Sequence, residues 1–353
     1  MEPDAPFIVC SHCFANQGLF LDAEQIGIEN AAPCPNCGSI AGRKLSEAGL
    51  VTLTYRFFVW GSLVRYKYGA APLVQFNEYQ TTSIDVSPNL KSDIGIIERV
   101  LGVGFFRYGP RWWMFGEIEP LKDMQKPKAR AAILERILEE YPARDVGAEE
   151  LFYRIRKAPK MPSETHEYDS PPSNMVGRGR LDSRSLPVLY ASPDLQVCVH
   201  ECRVTAEDEL YVATLKPDRN LRLLDLSVLL KEDKHVSEFE SLDMAIHMLF
   251  LAGKHSYKIT RSIAASAHDA GFDGLIYPSY FSLLRIGVMP FETTYGISHR
   301  RISQLQEYEQ AKAIPNLAIF GRPVTEGKVK VHCINKLIIN RVAYEFHFGP
   351  IGV

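Results

Sequence analysis

The chain has 353 residues, 46% of them hydrophobic and 23% charged, with a formal net charge of -2 at neutral pH. That length holds two or three domains, and the near-neutral balance gives no electrostatic case for binding nucleic acid or an anionic membrane in bulk. The opening Met-Glu-Pro-Asp-Ala-Pro has no basic stretch leading into an apolar one, and no apolar run approaches the roughly 18 residues of a membrane span, so a cytoplasmic protein is expected.

Four of the seven cysteines form two Cys-x-x-Cys pairs, Cys10/Cys13 and Cys34/Cys37, with twenty residues between them. Each pair sets two thiolates on one tight turn, and two such turns complete a tetrahedral zinc site. With every position filled by sulfur, such a zinc has no open place for a substrate and serves the fold. Residues 1–45 therefore read as a zinc-ribbon-like module, with His12 as a solvated neighbour of the metal. The remaining thiols, Cys198, Cys202 and Cys333, read as reduced and mostly buried.

Residues 46–147 read as a mainly helical region rich in aromatics: Tyr55-Arg56-Phe57-Phe58-Val59-Trp60, Phe105-Phe106-Arg107-Tyr108 and Trp112-Trp113-Met114-Phe115. At that density large aromatics are expected to build a core rather than a docking surface. Gly102-Val103-Gly104 lacks the third glycine of a dinucleotide fingerprint. Spacing predicts a helix over 126–141, with Ala131, Ile133, Leu134, Ile137 and Leu138 on one face. Pro142 stops it, and Asp145-Val146-Gly147 reads as a linker.

The segment 151–156 predicts a strand carrying Arg154, and 157–178, rich in Pro, Ser and charge, predicts a long mobile loop. Next comes the most informative stretch, GRLDSRSLPVLYASPDLQVCVHECR from Gly179 to Arg203. Residues 186–190 predict an apolar strand ending in Tyr190. Ser192-Pro193-Asp194 predicts a helix entry, with Ser192 at the N-cap and Pro193 at the first helical position. Leu195, Cys198, Val199 and Cys202 fall at helical spacing; Glu201 lies beside that stripe and His200 points elsewhere. A guanidinium before a strand, a phenol at its end and a carboxylate on the next helix can converge on one pocket. The same residue types also fit a loop Arg, a half-buried Tyr and a helix-face Glu. Beyond them the pattern predicts strands at 210–215 and 221–224, helices at 241–252 and 257–270, and a strand ending in Ser279. A helix over 304–313, a short strand over 316–320 and a hairpin over 328–348 turning near Asn335-Lys336 complete the chain.

Taken together, Gly179-Arg180, Leu189-Tyr190, Glu201, Asp273-Gly274-Leu275-Ile276-Tyr277-Pro278-Ser279 and Asn316-Leu317-Ala318-Ile319-Phe320 resemble the RES family, the toxin component of many bacterial toxin–antitoxin pairs. The family is named for an Arg, a Glu and a Ser, and the resemblance covers roughly residues 150–350. Asp182 stands where the family often has Asn, and Ser183-Arg184-Ser185 where its turn usually carries a Gly. The resemblance implies an α+β chain. Over residues 148–353 it would form a mixed sheet with flanking helices, similar to ADP-ribosyltransferases, preceded by the small zinc ribbon and the mainly helical, aromatic-rich region.

The resemblance further implies NAD+ as a substrate, not a hydride carrier, its nicotinamide–ribose bond cleaved by hydrolysis or phosphorolysis. The alternatives are ADP-ribose transfer to a protein or nucleic-acid target, and a non-enzymatic binding or regulatory protein with a degenerate pocket. Carried onto this chain, Arg180, Tyr190, Glu201 and Ser279 become the catalytic set, and Arg154, Arg180, Tyr190 and Ser279 the NAD+-binding set. Breaking a glycosidic bond to a cationic leaving group passes through an oxocarbenium-like state, which the Glu201 carboxylate would stabilise. Arg180, with Arg154, would hold the pyrophosphate as a permanently charged planar fork. Tyr190 would stack on the nicotinamide ring, and Ser279 would bind ribose or seat the Glu. An antitoxin protein is the implied macromolecular partner; a homo-oligomer is left to experiment.

Overall fold

The computed structural model describes residues 6–66, 69–108, 118–282, 292–294 and 297–351, so Trp112-Trp113-Met114-Phe115 lie outside the described residues. The chain divides into two compact units: Met1–Tyr66, Ala70–Phe115 and Tyr344–Val353 form the first, Lys67–Gly69 and Gly116–Ala343 the second. Among the described residues no helix is long and apolar enough to cross a membrane.

In the first unit β1 (Phe7–Cys10) is followed by α1 (Gln17–Ile26), β2 (Lys44–Ser46) and α2 (Glu47–Thr54). After them come β3 (Leu63–Tyr66), β4 (Gly69–Pro72), β5 (Val74–Glu78), α3 (Pro88–Leu101) and β6 (Val103–Arg107). β1 pairs antiparallel with β2 around the cysteine turns, and β5 with β6 around α3. Asn16 starts α1 by accepting the amides of Gly18 and Leu19, and α2 runs on into a π turn, Tyr55–Val59. That turn drives two adjacent aromatics inward. Phe57 and Phe58 are buried with Val9, Leu19, Leu53, Ile97 and Phe105, and the Phe58 and Phe105 rings lie 4.4 Å apart. These three rings go to the core as expected, while Tyr55, Trp60, Phe106 and Tyr108 are half-buried. The Gly102-Val103-Gly104 run has a backbone explanation: Gly102 caps α3 at φ +66°, and a Cβ on Gly104 would sit 1.8 Å from the Gln80 carbonyl oxygen. The chain's last residues return to this unit, where the Phe348 amide donates to Asp22 Oδ2 at 3.1 Å.

The second unit runs, in chain order, α4 (Glu119–Met124), α5 (Pro127–Glu140), β7 (Ala143–Val146), β8 (Phe152–Lys157), β9 (Val188–Ala191) and α6 (Leu195–Glu201). It continues β10 (Leu210–Pro217), β11 (Leu221–Asp225), α7 (Leu242–Leu251), α8 (Tyr257–Asp269) and β12 (Gly274–Pro278). The short β13 (Thr293–Thr294) and β14 (Ile297–Ser298), α9 (Gln306–Ala311), β15 (Pro315–Phe320) and β16 (Val329–Leu337) complete it. Five strands form one mixed sheet in the order β7-β11-β12-β15-β9, with β11 and β12 parallel and the other pairs antiparallel. β16, β10 and β8 form a second, antiparallel sheet. This is the mixed α+β architecture that the sequence implied.

Alternation along the strands decides which face does what. Leu189, Ala191, Ile276, Leu317 and Ile319 of the larger sheet pack with Phe152, Ala213 and Leu215 of the smaller one in a single buried cluster between the sheets. The outer face of the smaller sheet buries Ile155, Leu210 and Val212 under Leu195, Cys198, Val199 and Cys202 of α6. The helical stripe read from the sequence is this contact. On its opposite face the larger sheet carries Tyr190, Tyr277, Asn316 and Ala318, in register with one another.

Several expectations are corrected. Asp145 and Val146, read as a linker, are paired in β7 against β11. The cap of α6 is Asp194, whose side chain accepts the Val197 amide at 2.9 Å, while Ser192 donates to the Pro315 carbonyl. No hairpin turns at Asn335-Lys336: both lie inside β16, which pairs continuously with β10 apart from one irregularity. The 157–178 loop is anchored, with Tyr168, Asp169 and Ser170 all buried and Asp169 accepting from Thr325. Cys333 is exposed, not buried.

Candidate active site

Arg180 sits on a loop that four neighbours lace down. A Cβ on Gly179 would meet Asp182 Oδ1 at 2.1 Å and the Tyr190 hydroxyl at 2.7 Å, so glycine is needed where the loop crosses β9. The Tyr190 hydroxyl accepts the amides of Leu181 and Asp182 at 2.8 and 3.0 Å and donates to Asp182 Oδ1 at 2.9 Å. Burial, and then the Asp182 carboxylate, push this phenol's pKa well up, so it works as a neutral clamp. Asp182 is itself buried and also accepts the Gly177 amide, so its carboxylate shapes the loop. From α8, Thr260 donates to the Arg180 carbonyl and Arg261 to the carbonyls of Gly177 and Gly179.

The Arg180 guanidinium lies at the C-terminal end of α7, donating to the carbonyls of Leu249 at 3.4 Å and Ala252 at 2.9 Å. A cation is favoured there by the helix dipole. The rings of Tyr257 and Phe250 flank it, with centroids 5.0 and 5.8 Å from Cζ. Among the described residues two of its five N–H donors are used, which leaves three to face a ligand.

Glu201 ends α6. The residue as a whole is exposed, yet its carboxylate is held: Ser279 Oγ and Asn316 Nδ2 each donate to Oε1 at 2.7 Å. Both donors are buried, and Ser279 Oγ in turn accepts the Phe281 amide at 3.1 Å. Tyr277 lies within electrostatic reach of both the acid and the cation. Its ring stacks on Phe250 at 5.2 Å, and its hydroxyl lies beside the Asn316 side chain. Burial raises the Tyr277 phenol most, Glu201 raises it further, and Arg180 opposes them, so this one hydroxyl feels both charges. Tyr277 and Asn316 are direct cross-strand partners, and such partners share a face. Glu201 and Arg180 therefore belong to the same face of the larger sheet.

Arg180, Tyr190, Glu201 and Ser279 are brought together in this way; Arg154 is not. It follows Phe152 by two in β8 and so points between the sheets, donating to the backbone carbonyls of Tyr190 and Asp169. Burial, with Arg156 adding to it, lowers its pKa to about 9, and its Nε is buried with no partner among the described residues. Sequence reasoning gave no role to Asn316, Tyr277, Thr260 or Arg261. The polar Asn at the head of an otherwise apolar strand was the available signal.

In the first unit the sulfurs of Cys10, Cys13, Cys34 and Cys37 all lie within 4.8 Å of one another. The separations of 3.5 Å for Cys10–Cys37, 3.6 Å for Cys13–Cys34 and 3.9 Å for Cys10–Cys13 match the ~3.8 Å edge of a tetrahedron with zinc–sulfur bonds of about 2.3 Å. They are far too long for disulfides. Burial pushes the Cys34 thiol up, but hydrogen bonds from the Cys37 and Asn36 amides and from Cys13 and Cys10 together bring it down to about 7. Asn36 Nδ2 donates to Cys13 Sγ and is itself oriented by Arg99. His12 bonds Ser39 and is not among the four.

Residues 151–290 match the family model of the RES domain. The RES resemblance is borne out over residues 151–290. The matched span holds Arg180, Tyr190, Glu201 and Ser279, whereas Asn316 and the rest of β15 lie beyond it. Among solved structures, the M.tuberculosis MbcT-MbcA toxin-antitoxin complex is similar at 14% identity, covering 58% of this chain and 91% of that one with a TM-score of 0.32. No curated protein matches the chain.

Proposed function

We propose that the RES domain cleaves the nicotinamide–ribose bond of NAD+. The observation that carries this reading is the Glu201 carboxylate, fixed at one oxygen on the same sheet face as the caged Arg180 guanidinium. Nicotinamide leaves as a neutral molecule, so the reaction needs no general acid; it needs a fixed negative charge beside the carbon that becomes cationic. Glu201 supplies that charge. The three remaining N–H groups of Arg180 suit the pyrophosphate oxygens. Tyr190 acts through the loop that carries Arg180, and Arg154 supports the β9 backbone from between the sheets. Cys10, Cys13, Cys34 and Cys37 would hold a structural zinc, which supplies fold stability and no chemistry. As in the toxins of this family, the protein partner we propose is an antitoxin.

The test is free nicotinamide, followed by chromatography after mixing the purified full chain with NAD+, with and without phosphate. Wild type should release it, and Glu201→Ala should be slower by about 100- to 1000-fold, the usual loss when one electrostatic stabiliser of a transition state is removed. No release by wild type, or equal release by the variant, rejects the reading. Appearance of ADP-ribose 1-phosphate when phosphate is added would distinguish phosphorolysis from hydrolysis.

A further inference from the structure

Both hydrogen bonds to Glu201 land on the same oxygen. Ser279 Oγ and Asn316 Nδ2 donate to Oε1, and Oε2 receives none among the described residues. Asn316 is 3% exposed, is fixed in β15 opposite Tyr277, and lies beyond the span that matches the RES family model. A carboxylate bound through one oxygen cannot spin about its last torsion without losing a bond, so the second oxygen keeps one direction. We infer that Asn316 is a positioning residue: with Ser279 it locks Oε1 and turns Oε2 of Glu201 toward the ribose.

This rests on the proposed cleavage of NAD+ and adds what sets the acid's orientation. As a positioning residue Asn316 acts through Glu201, so its loss belongs in kcat and not in KM. Asn316→Asp is the sharpest probe because it keeps the shape and replaces the N–H donor by a carboxyl group. Above the pKa of the new pair two carboxylates would face each other and repel, and Oε1 would keep only the Ser279 donor. Below it the pair shares a proton, and the introduced carboxyl can donate an O–H to Oε1 as the amide did.

The experiment compares steady-state nicotinamide release by wild type, Asn316→Ala and Asn316→Asp from about pH 5 to pH 8, spanning the range into which a coupled carboxyl pair is raised. At the alkaline end both variants should lose about 10- to 100-fold in kcat with KM nearly unchanged, the scale of loss for a misplaced catalytic group. The Asn316→Asp variant alone should recover toward wild type as pH falls. A loss carried by KM, or a ratio of that variant to wild type that stays flat with pH, overturns the inference even if wild type turns over.

A second measurement does not depend on turnover. With 15N-asparagine labelling, the side-chain resonance that disappears in Asn316→Asp should titrate with a carboxylate in wild type and stop doing so in Glu201→Gln. If it does not titrate in wild type, Asn316 is not bonded to Glu201 and the inference fails, whatever the protein does with NAD+.

Discussion

The hydroxyl of Tyr190 accepts from two amides and donates to a carboxylate, so its hydrogen bonds are all made inside the 177–182 loop. This separates two accounts of one residue. If Tyr190 served by stacking on a ligand ring, Phe would serve as well. As a clamp, Tyr190→Phe leaves the Leu181 and Asp182 amides without their acceptor and Asp182 Oδ1 without a donor. Unpaired buried polar groups cost about 1–3 kcal/mol, so the variant should lose that much in urea unfolding, and the looser Arg180 should raise KM for NAD+. An unchanged unfolding midpoint together with an unchanged KM would return Tyr190 to the stacking role. Asp182 belongs to the same arrangement. From the sequence it is only an Asp where the family often has Asn, yet its two oxygens are turned inward onto Gly177 and Tyr190. A sequence shows that a charge is present; only the fold shows where it points.

At the level of elements, α6 has seven residues, too few to be helical alone, and its end carries Glu201. Its stability comes from the Asp194 cap and from Cys198 and its apolar neighbours packed on the outer face of β8 and β10. Asp194→Ala should cost about 1 kcal/mol, the usual worth of such a cap, and should lower nicotinamide release because fraying starts in the helix that holds the acid. Unaltered thermal stability of that variant would show that packing alone holds the helix. The apolar spacing of α6 made it legible; its first residue was less so, because Ser192 and Asp194 are both capping types and stand two apart. Tertiary structure chose between them: Ser192 is bridged to Tyr153 and bonded to Pro315, which leaves Asp194 to cap. The hairpin expected at Asn335-Lys336 failed for a similar reason. Two turn-forming residues give way when a long partner strand, β10, offers hydrogen bonds on through them.

For the whole molecule, what could be read from the sequence was local in the chain. Two cysteine turns, a strand ending in Tyr190 and one ending in Ser279 each declare themselves within a few residues. The pairing of Tyr277 with Asn316 joins positions far apart in the chain, and it alone puts the acid, its donors and the cation on one sheet face; no spacing encodes that register. The cysteine cluster has the opposite character, since its spacing already named the four residues that the fold gathers. Its contribution to stability follows from size. β1 and β2 are strands of only four and three residues, and Cys10 and Cys34 are buried at the two turns that a metal would join. A metal bound there, which the unfolded chain cannot hold in this geometry, would then add folding energy for residues 7–46. Native mass spectrometry should find one zinc ion per chain, absent from Cys37→Ala. Removing it with a chelator should speed amide hydrogen exchange across 7–46, because local opening there falls toward the low free energies of fraying segments. Metal-free protein whose exchange in 7–46 matches the untreated protein would show instead that the core around Phe57, Phe58 and Phe105 is sufficient to hold the cysteine turns in place.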